Sequence, residues 1–187
     1  MGYTPLHLAA KSGYAHIVKL LHKKGALINT KNYRKTTPLH DVADNGYQNI
    51  AEYLIQNGAE LEAEDGINRT PLNCAVGAFK MADFRYLHMI ECLITYGANV
   101  NAGDVLLNLH TFPEPIYMAT LMKEQKEFSG KGRALEQLLL KYGAKPLQKR
   151  NQIEFQEFVE KLEDGDKYIS IPHDEFFDVM KTLNDAE

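Results

Sequence analysis

The tetrapeptide Thr4-Pro5-Leu6-His7 returns as Thr37-Pro38-Leu39-His40 and again, with one change, as Thr70-Pro71-Leu72-Asn73. The copies begin 33 residues apart, and a fixed period of that length is typical of a repeat array. The threonine hydroxyl can accept a backbone N–H at the start of a helix, and proline suits the first helical position because an N–H there has no partner. Each copy therefore predicts the start of a helix.

A second landmark, a Gly-Ala dipeptide at Gly25, Gly58 and Gly97, follows the three tetrapeptides and recurs at Gly143, so the sequence predicts four units. Apolar residues lie eight and four residues before each Gly-Ala, a spacing that places them on one face of a helix. The residues at these two positions are Ile17, Ile50, Met89 and Leu135, and Leu21, Leu54, Leu93 and Leu139. Each unit is thus predicted to contain a second, amphipathic helix.

These landmarks resemble the ankyrin repeat, and residues 1–31 follow its pattern most closely. The resemblance implies an all-α solenoid of stacked helix-turn-helix units with hairpin turns. It also implies that His7 and His40 tie neighbouring turns together, with Asn73 and Tyr117 in their place later. We expect ankyrin repeats over residues 1–150, with units at about 1–31, 32–64, 65–103 and 104–150.

Units three and four depart from the pattern. Unit three has six extra residues around Phe79 to Leu87, which either lengthen its helices or contact a partner. In unit four, Glu114-Pro115-Ile116-Tyr117 stands where the tetrapeptide is expected. The stretch Ser129-Gly130-Lys131-Gly132-Arg133 lacks the spacing of a phosphate-binding loop. We expect it to be a flexible connection between the helices of unit four.

The composition indicates a soluble protein of one elongated domain, since 44% of the 187 residues are hydrophobic and no apolar run is long enough to span a membrane. Cys74 and Cys92 form no C-x-x-C pair, so we expect reduced thiols in the cytoplasm, or in a host cytoplasm for a secreted effector. The net charge of −4 disfavours nucleic-acid binding. The seven histidines lack metal-ligand spacing, and we expect no enzymatic activity, cofactor, membrane contact or small-molecule substrate.

The C-terminal segment 151–187 has a different character, with 3 Lys and Arg residues against 11 Asp and Glu residues. We expect an acidic helical cap that covers the last unit. Its helix-loop-helix pattern resembles a degenerate EF-hand, in which Asp164, Asp166 and Glu175 would be the candidate calcium ligands. Because Ile169 replaces the glycine that the loop needs for its sharp turn, we expect no calcium site.

The ankyrin resemblance implies a scaffold that binds a partner protein through its concave groove and turn tips. The residue pattern of the repeat is used for stacking, so the turn tips and the exposed sides of the first helices are free to vary. Tyr and Arg at such positions favour partner contact. The candidate contact residues are Tyr3, Lys11 and Ser12 in unit one, Tyr33, Arg34, Lys35, Thr36, Asp44 and Asn45 in unit two, and Ile67, Arg69, Lys80, Phe84 and Arg85 in unit three.

Two other functions stay open on the sequence alone. The array could be the targeting module of a larger enzyme, or of a host-directed bacterial effector, whose catalytic part lies outside this chain. The observation behind this alternative is that only Met1-Gly2-Tyr3 precedes the first tetrapeptide. The chain could also be a calcium-responsive module through its tail. The sequence does not identify the partner in any of these cases.

Overall fold

The computed structural model describes residues 2–81, 85–102, 115–124 and 129–146. Within these ranges it contains helices and no strand, which confirms the predicted all-α fold. None of the described helices has the length and apolar character that a membrane span needs. The helices are α1 Pro5–Lys11, α2 Ala15–Lys23, α3 Pro38–Asn45, α4 Gln48–Gln56, α5 Pro71–Met81, α6 Arg85–Thr95, α7 Pro115–Glu124 and α8 Ser129–Lys141.

The predicted helix starts are confirmed, since α1, α3 and α5 begin at the prolines of the three tetrapeptides and α7 begins at Pro115. In α1 the hydroxyl oxygen of Thr4 accepts the N–H of His7 at 3.4 Å, and Nδ1 of His7 accepts the N–H of Thr4 at 3.3 Å. The first helix of unit two has the same capping box. Gly46 caps the C-terminal end of this helix, and its φ of 70° lies in the left-handed region where glycine carries no steric penalty.

The helices form two rows. The first helices of the units, α1, α3, α5 and α7, pack one on the next, while α2, α4 and α6 form a second row beside them. The helix α8 packs against α7. Small buried residues such as Ala10 and Ala43 let neighbouring first helices approach closely. Each unit therefore buries its apolar face against the adjacent units.

The predicted apolar face of the second helices is also confirmed. Ile17 and Leu21 of α2 are only partly buried, because α2 has a neighbouring second-row helix on one side only. The equivalent residues of the later units are at most 1% exposed, and they are Ile50, Leu54, Met89, Leu93, Leu135 and Leu139.

The extra residues of unit three lengthen its helices. Helices α5 and α6 have 11 residues each, against 7 in α1 and 9 in α2. The side chain of Phe79 lies in the core with none of its surface exposed. Of the two interpretations of the insertion, the structure therefore supports longer helices for the part that it describes.

The expectation of a flexible connection at residues 129–133 is wrong, because α8 begins at Ser129. Gly132 is buried where α8 lies against α7, and a Cβ atom at this position would collide with the backbone nitrogen of Lys123. This glycine permits the close approach of two helices, a use of glycine that local sequence cannot distinguish from a turn.

The helix pair α7 and α8 is joined to unit three by the same contact that joins unit two to unit one. The side-chain amide of Asn29 donates to the carbonyl of Gly58 at 2.9 Å, and its oxygen accepts the N–H of Glu60 at 3.0 Å. The side chain of Asn101 makes the equivalent bonds to Gly143 and Lys145, at 3.4 and 2.9 Å. The boundary between units three and four and the predicted cap, residues 151–187, lie outside the described residues.

Core residues should govern the stability of the array. Leu54→Ala and Leu93→Ala each remove a fully buried side chain and should lower the free energy of unfolding by roughly 2 to 5 kcal/mol. Arg34→Ala, at an exposed position, should change it by less than about 0.5 kcal/mol. Urea unfolding of the three variants measures these values, and similar midpoints for all three would contradict the assigned helix faces.

The contact between α7 and α8 can be tested with two glycines of the same helix. Gly132→Ala should destabilise the protein by roughly 1 to 3 kcal/mol, because the new methyl group overlaps the backbone of α7. Gly130→Ala is the control, since a Cβ there meets no atom within 4 Å. It should leave the melting temperature unchanged or raise it slightly. Equal melting temperatures for the two variants would contradict the packing.

Candidate functional site

The hairpin before α3 is closed by the side chain of Asn32. Its Oδ1 atom accepts the N–H of Arg34 at 2.8 Å and the N–H of Thr36 at 3.1 Å. The backbone N–H of Asn32 donates to the carbonyl oxygen of Thr36 at 3.0 Å. Because Asn32 is buried, these bonds are shielded from competing water. The tip, residues 33–35, therefore stands on a fixed base.

Asp65 has the same role in the next hairpin. Its Oδ1 atom accepts the N–H groups of Ile67 and Arg69, each at 2.9 Å. The two hairpins are also bonded to each other, because the N–H of Gly66 donates to the carbonyl oxygen of Arg34 at 2.7 Å. Neighbouring tips thus form a row whose spacing is set by the backbone.

The predicted role of the tetrapeptide histidines is confirmed. Nε2 of His7 lies 3.0 Å from the carbonyl oxygen of Thr36, and Nε2 of His40 lies 3.0 Å from that of Arg69. Burial lowers the pKa of both rings. Each ring therefore stays neutral at neutral pH, with Nε2–H donating to the next hairpin and Nδ1 accepting from its own helix start.

The predicted replacement of the histidine by Asn73 in unit three is confirmed as well. The side-chain amide of Asn73 donates to the carbonyl oxygen of Ala102 at 3.3 Å. The side chain of Tyr117, expected to take this place in unit four, lies outside the described residues. Each described tetrapeptide thus bonds its own helix to the turn that follows one unit later. These bonds determine where the candidate contact residues stand.

The hairpin tip of unit two presents an aromatic ring beside two cations. The side chain of Tyr33 is 82% exposed, and Arg34 and Lys35 are exposed next to it. One part of the ring lies against the backbone of Gly2, where an added Cβ would be 3.1 Å away. We call the residues 33–35 the unit-two tip. It combines a large apolar surface with positive charge on a rigid turn.

Unit one adds a second aromatic and basic pair. Lys11 Nζ lies 5.6 Å from the ring centroid of Tyr3, within the range of a cation–π contact. The same ring stands edge-on to His7, with 5.8 Å between the ring centroids. Ser12 is exposed beside Lys11 at the end of α1. These three predicted residues are therefore accessible, Tyr3 only in part.

The equivalent end of α3 is more enclosed. Asp44 and Asn45 are half-buried. The amide of Asn45 donates to the carbonyl oxygen of Asp41 at 2.8 Å, and the hydroxyl of Tyr86 donates to that of Asp44 at 2.8 Å. Asp44 and Asn45 thus take part in hydrogen bonds within the protein and remain partly exposed.

Thr36 was expected at the contact surface, but its side chain is buried. Only 8% of Thr36 is exposed, and its hydroxyl accepts a hydrogen bond from the amide of Asn32. Arg69 is also held internally, by an ion pair of 2.9 Å with Asp65 that leaves 16% of its side chain exposed. Ile67 is half-buried. Thr36 therefore stabilises the turn, because its hydrogen bonds to Asn32 hold it inside the hairpin.

Several other predicted site residues lie outside the part of the chain that the structure describes. Phe84 lies outside the described residues, as do the side chains of Lys80 and Arg85 and the carboxylates Asp164, Asp166 and Glu175. Among the residues that the structure describes, no group of three or more His, Cys, Asp or Glu side chains could hold a metal ion. The contact role of these three residues of unit three stays a prediction.

The two cysteines are free thiols with raised pKa values. Both Cys74 and Cys92 are free, as expected from the sequence, and both are buried. Burial raises the pKa of Cys74 well above its ordinary value and that of Cys92 to about 11. Because the thiolate is the nucleophile, neither thiol is activated at neutral pH.

Asp41 is a residue that the sequence analysis missed. It lies in α3 and is 6% exposed, and its Oδ2 atom has no hydrogen-bond partner among the described residues. Burial raises the pKa of Asp41 from 3.8 to about 7, the charge of Asp44 adds to the rise, and Lys11 opposes it. A carboxyl group is thus buried next to the candidate surface at a cost in stability.

A comparison of equivalent positions would have found this residue. Three residues after the first proline of each helix, the units carry Leu8, Asp41, Cys74 and Met118. The carboxylate is the one charged group in a set of apolar side chains. Such a departure from the packing pattern is typical of a site retained for a reason other than stability.

Two rows of helices joined by linked hairpins define a helical repeat solenoid. The family model described as ankyrin repeats, in three copies, matches residues 1–65 and 33–104. These matches span residues 1–104 of the 187 residues, and the chain belongs to the ankyrin-repeat family. No curated protein matched the chain in a sequence search. Ankyrin repeats are generally modules for protein–protein interaction and are typically non-catalytic.

Replacing Asp41 should stabilise the protein in a pH-dependent manner. Its pKa of about 7 in the folded chain lies above the ordinary 3.8. The folded state therefore binds this proton more tightly, and the contribution of Asp41 to stability is lost as the pH rises from about 4 to 7. At pH 8, Asp41→Leu should raise the free energy of unfolding by roughly 1 to 3 kcal/mol.

Urea unfolding at several pH values between 4 and 8 measures this gain relative to the wild type, so the titration of the histidines cancels. Asp41→Asn is the second variant, because it removes the charge at nearly constant volume. Its difference from the wild type should follow the same pH dependence. A gain that does not change with pH would mean that packing, and not the carboxylate charge, determines the effect.

Proposed function

We propose that this protein is an interaction scaffold that binds a partner protein along the hairpin tips and the adjoining ends of the first helices, the concave groove of its family. The observation that carries the proposal is the exposed ring of Tyr33, 82% of which is open to solvent. An exposed aromatic side chain on a rigid support loses little conformational freedom on binding, and tyrosine is enriched in binding hot spots.

The rigidity of the support comes from named bonds. Asn32 holds the turn from within, and the backbone of Gly66 bonds to Arg34 from the next hairpin. Because the turn is already formed, a partner that packs on Tyr33 does not have to order it. The same construction recurs at Asp65, so a partner can extend over two tips at a fixed spacing.

The charges indicate the chemistry of the partner segment. Arg34 and Lys35 are exposed beside the ring, and Lys11 is exposed at the end of α1. A segment with an apolar anchor on Tyr33 and carboxylates beside it would satisfy these cations. The negative charge of Asp44 would repel carboxylates of such a segment and lowers the net positive charge of the surface. The acidic group of the partner is therefore favoured near the tips. Binding should accordingly weaken as salt screens the exposed charges.

The variant Tyr33→Ala/Arg34→Glu tests this function. The full chain and the variant serve as baits, and the affinity of each enriched protein is then measured by calorimetry. The variant should bind at least about 30-fold more weakly, or roughly 2 kcal/mol, since it removes the anchor and reverses a neighbouring charge. Its melting temperature should equal that of the wild type because both side chains are exposed.

Lys19→Glu and Glu52→Lys are the controls, as they change charge on the second helices α2 and α4. Both should bind as the wild type does. A partner that keeps full affinity for the tip variant and loses affinity for these controls would place the site on the second-row helices.

A further inference from the structure

Helix α3 carries two carboxyl groups beside the proposed partner surface. Asp41 and Asp44 lie three residues apart, a spacing that places their side chains on one face of the helix. Asp41 is 6% exposed, whereas Asp44 is half-buried. We call these two residues the acidic pair. The neighbouring units have no acidic residue at the two positions, which are Leu8 and Lys11 in unit one and Cys74 and Gly77 in unit three.

The charges on the α1 side do not neutralise the acidic pair. Lys11, at the end of α1, is the one cation of the described part of the chain that acts on Asp41. The charge of Asp44 opposes it, and α4 adds no charge that acts on Asp41. Since Lys11 and Asp44 balance each other, an ionised Asp41 leaves one negative charge in excess.

The groups on the α5 side do not remove this excess. The guanidinium of Arg69 is attracted by Asp44, but it is already in an ion pair of 2.9 Å with Asp65. The thiol of Cys74, in α5, is hydrogen-bonded to Asp44, and burial raises its pKa, so it carries no charge at neutral pH. The acidic pair therefore lacks a cation of its own.

The missing cation accounts for the state of Asp41. Its Oδ2 atom has no hydrogen-bond partner among the described residues, and a buried carboxylate without a partner is costly. The proton is therefore held up to a pH of about 7. A cation within roughly 4 to 6 Å of a carboxyl group favours its ionised form. Because Asp44 keeps part of its surface exposed, such a cation can approach the pair from solvent.

The distance from the unit-two tip suits a single partner segment. Asp44 lies seven residues after Thr37, the cap of α3, so the helical rise places it roughly 10 Å from the helix start. An extended segment covers roughly this distance in three residues. One segment can therefore place a carboxylate at the unit-two tip and a cation at the acidic pair, with three or four residues between the two charges.

We propose that the acidic pair is a subsite for a lysine or arginine side chain of the partner, and that Asp41 releases its proton to the solvent when this side chain binds. The inference rests on the proposed function, because it adds a basic residue to the segment whose carboxylate lies at the unit-two tip. Binding should accordingly strengthen as the pH rises, since the ionised form of Asp41 is the one that attracts the cation.

A phage-displayed library of random peptides is the probe, because it presents both charges at many spacings. The full chain is the bait at pH 8, where Asp41 is ionised. Enriched peptides should carry a Lys or Arg three or four residues from an Asp or Glu. On Asp41→Asn/Asp44→Asn as bait, the enrichment of basic residues should disappear while that of acidic residues remains. On Tyr33→Ala/Arg34→Glu, the opposite is expected.

Calorimetry with one enriched peptide that contains no histidine measures the proton. Roughly one tenth of Asp41 is ionised at pH 6 and nine tenths at pH 8, so the affinity of the wild type should rise about 10-fold between them. Asp41→Asn should bind equally at both. At pH 7 the heat of binding to the wild type should differ between phosphate and Tris buffers, because the buffer takes up the released proton. For Asp41→Asn it should not differ.

Glu52→Gln is the matched control, since it removes a charge of the same sign from α4. It should keep the 10-fold pH dependence, and the melting temperature of each variant checks that the chain is folded. Enriched peptides without a basic residue would overturn the subsite, as would a pH dependence that Asp41→Asn retains.

The two proposals fail in different ways. A peptide that loses affinity for the tip variant and binds Asp41→Asn as it binds the wild type at pH 8 would overturn the subsite alone. The reverse result would overturn the tip site and support the subsite. A library from which no peptide is enriched would contradict both.

Discussion

The stacking of the units depends on a buried hydrogen bond that recurs from unit to unit. It joins the histidine of a tetrapeptide to the hairpin that follows. His7 reaches the carbonyl of Thr36, and His40 reaches that of Arg69. Because the donor is buried, loss of its partner would leave a polar group without water. The same ring caps its own helix, so one side chain fixes both the helix start and the position of the next turn. The exposed ring of Tyr33 stands on a turn placed in this way.

Local chemistry explains why much of the fold could be predicted from the sequence. The caps at Thr4 and Thr37 and the apolar face with Leu54 and Leu93 follow from spacing along one helix. The connection around Gly132 could not be predicted in this manner, because two neighbouring glycines normally indicate a turn. Here the backbone of α7 approaches so closely that only glycine fits. That constraint comes from the backbone of Lys123 in the preceding helix, and it leaves no signal among the residues around Gly132.

The candidate site could also be predicted only in part, because the deciding contacts lie outside the local sequence pattern. A position in a hairpin does not determine exposure, and the bonds to Asn32 turn Thr36 inward while Tyr33 and Arg34 stay outside. Asp41 was missed because its helix start is regular. It becomes conspicuous only when equivalent positions of the units are compared, since the other units have apolar residues there. Comparison between units therefore adds information that comparison within a helix cannot supply.

The two-row arrangement also has a consequence for how the chain folds. Its helices pack on neighbours that are close in sequence, so native contacts close short loops and rapid folding is favoured. Folding can start in any adjacent pair of units and spread outward, with each new unit gaining one interface. The partly buried Ile17 and Leu21 make unit one the least supported end of the described array. Because each unit is joined to its neighbours through separate interfaces, the array should extend stepwise under tension, one unit at a time.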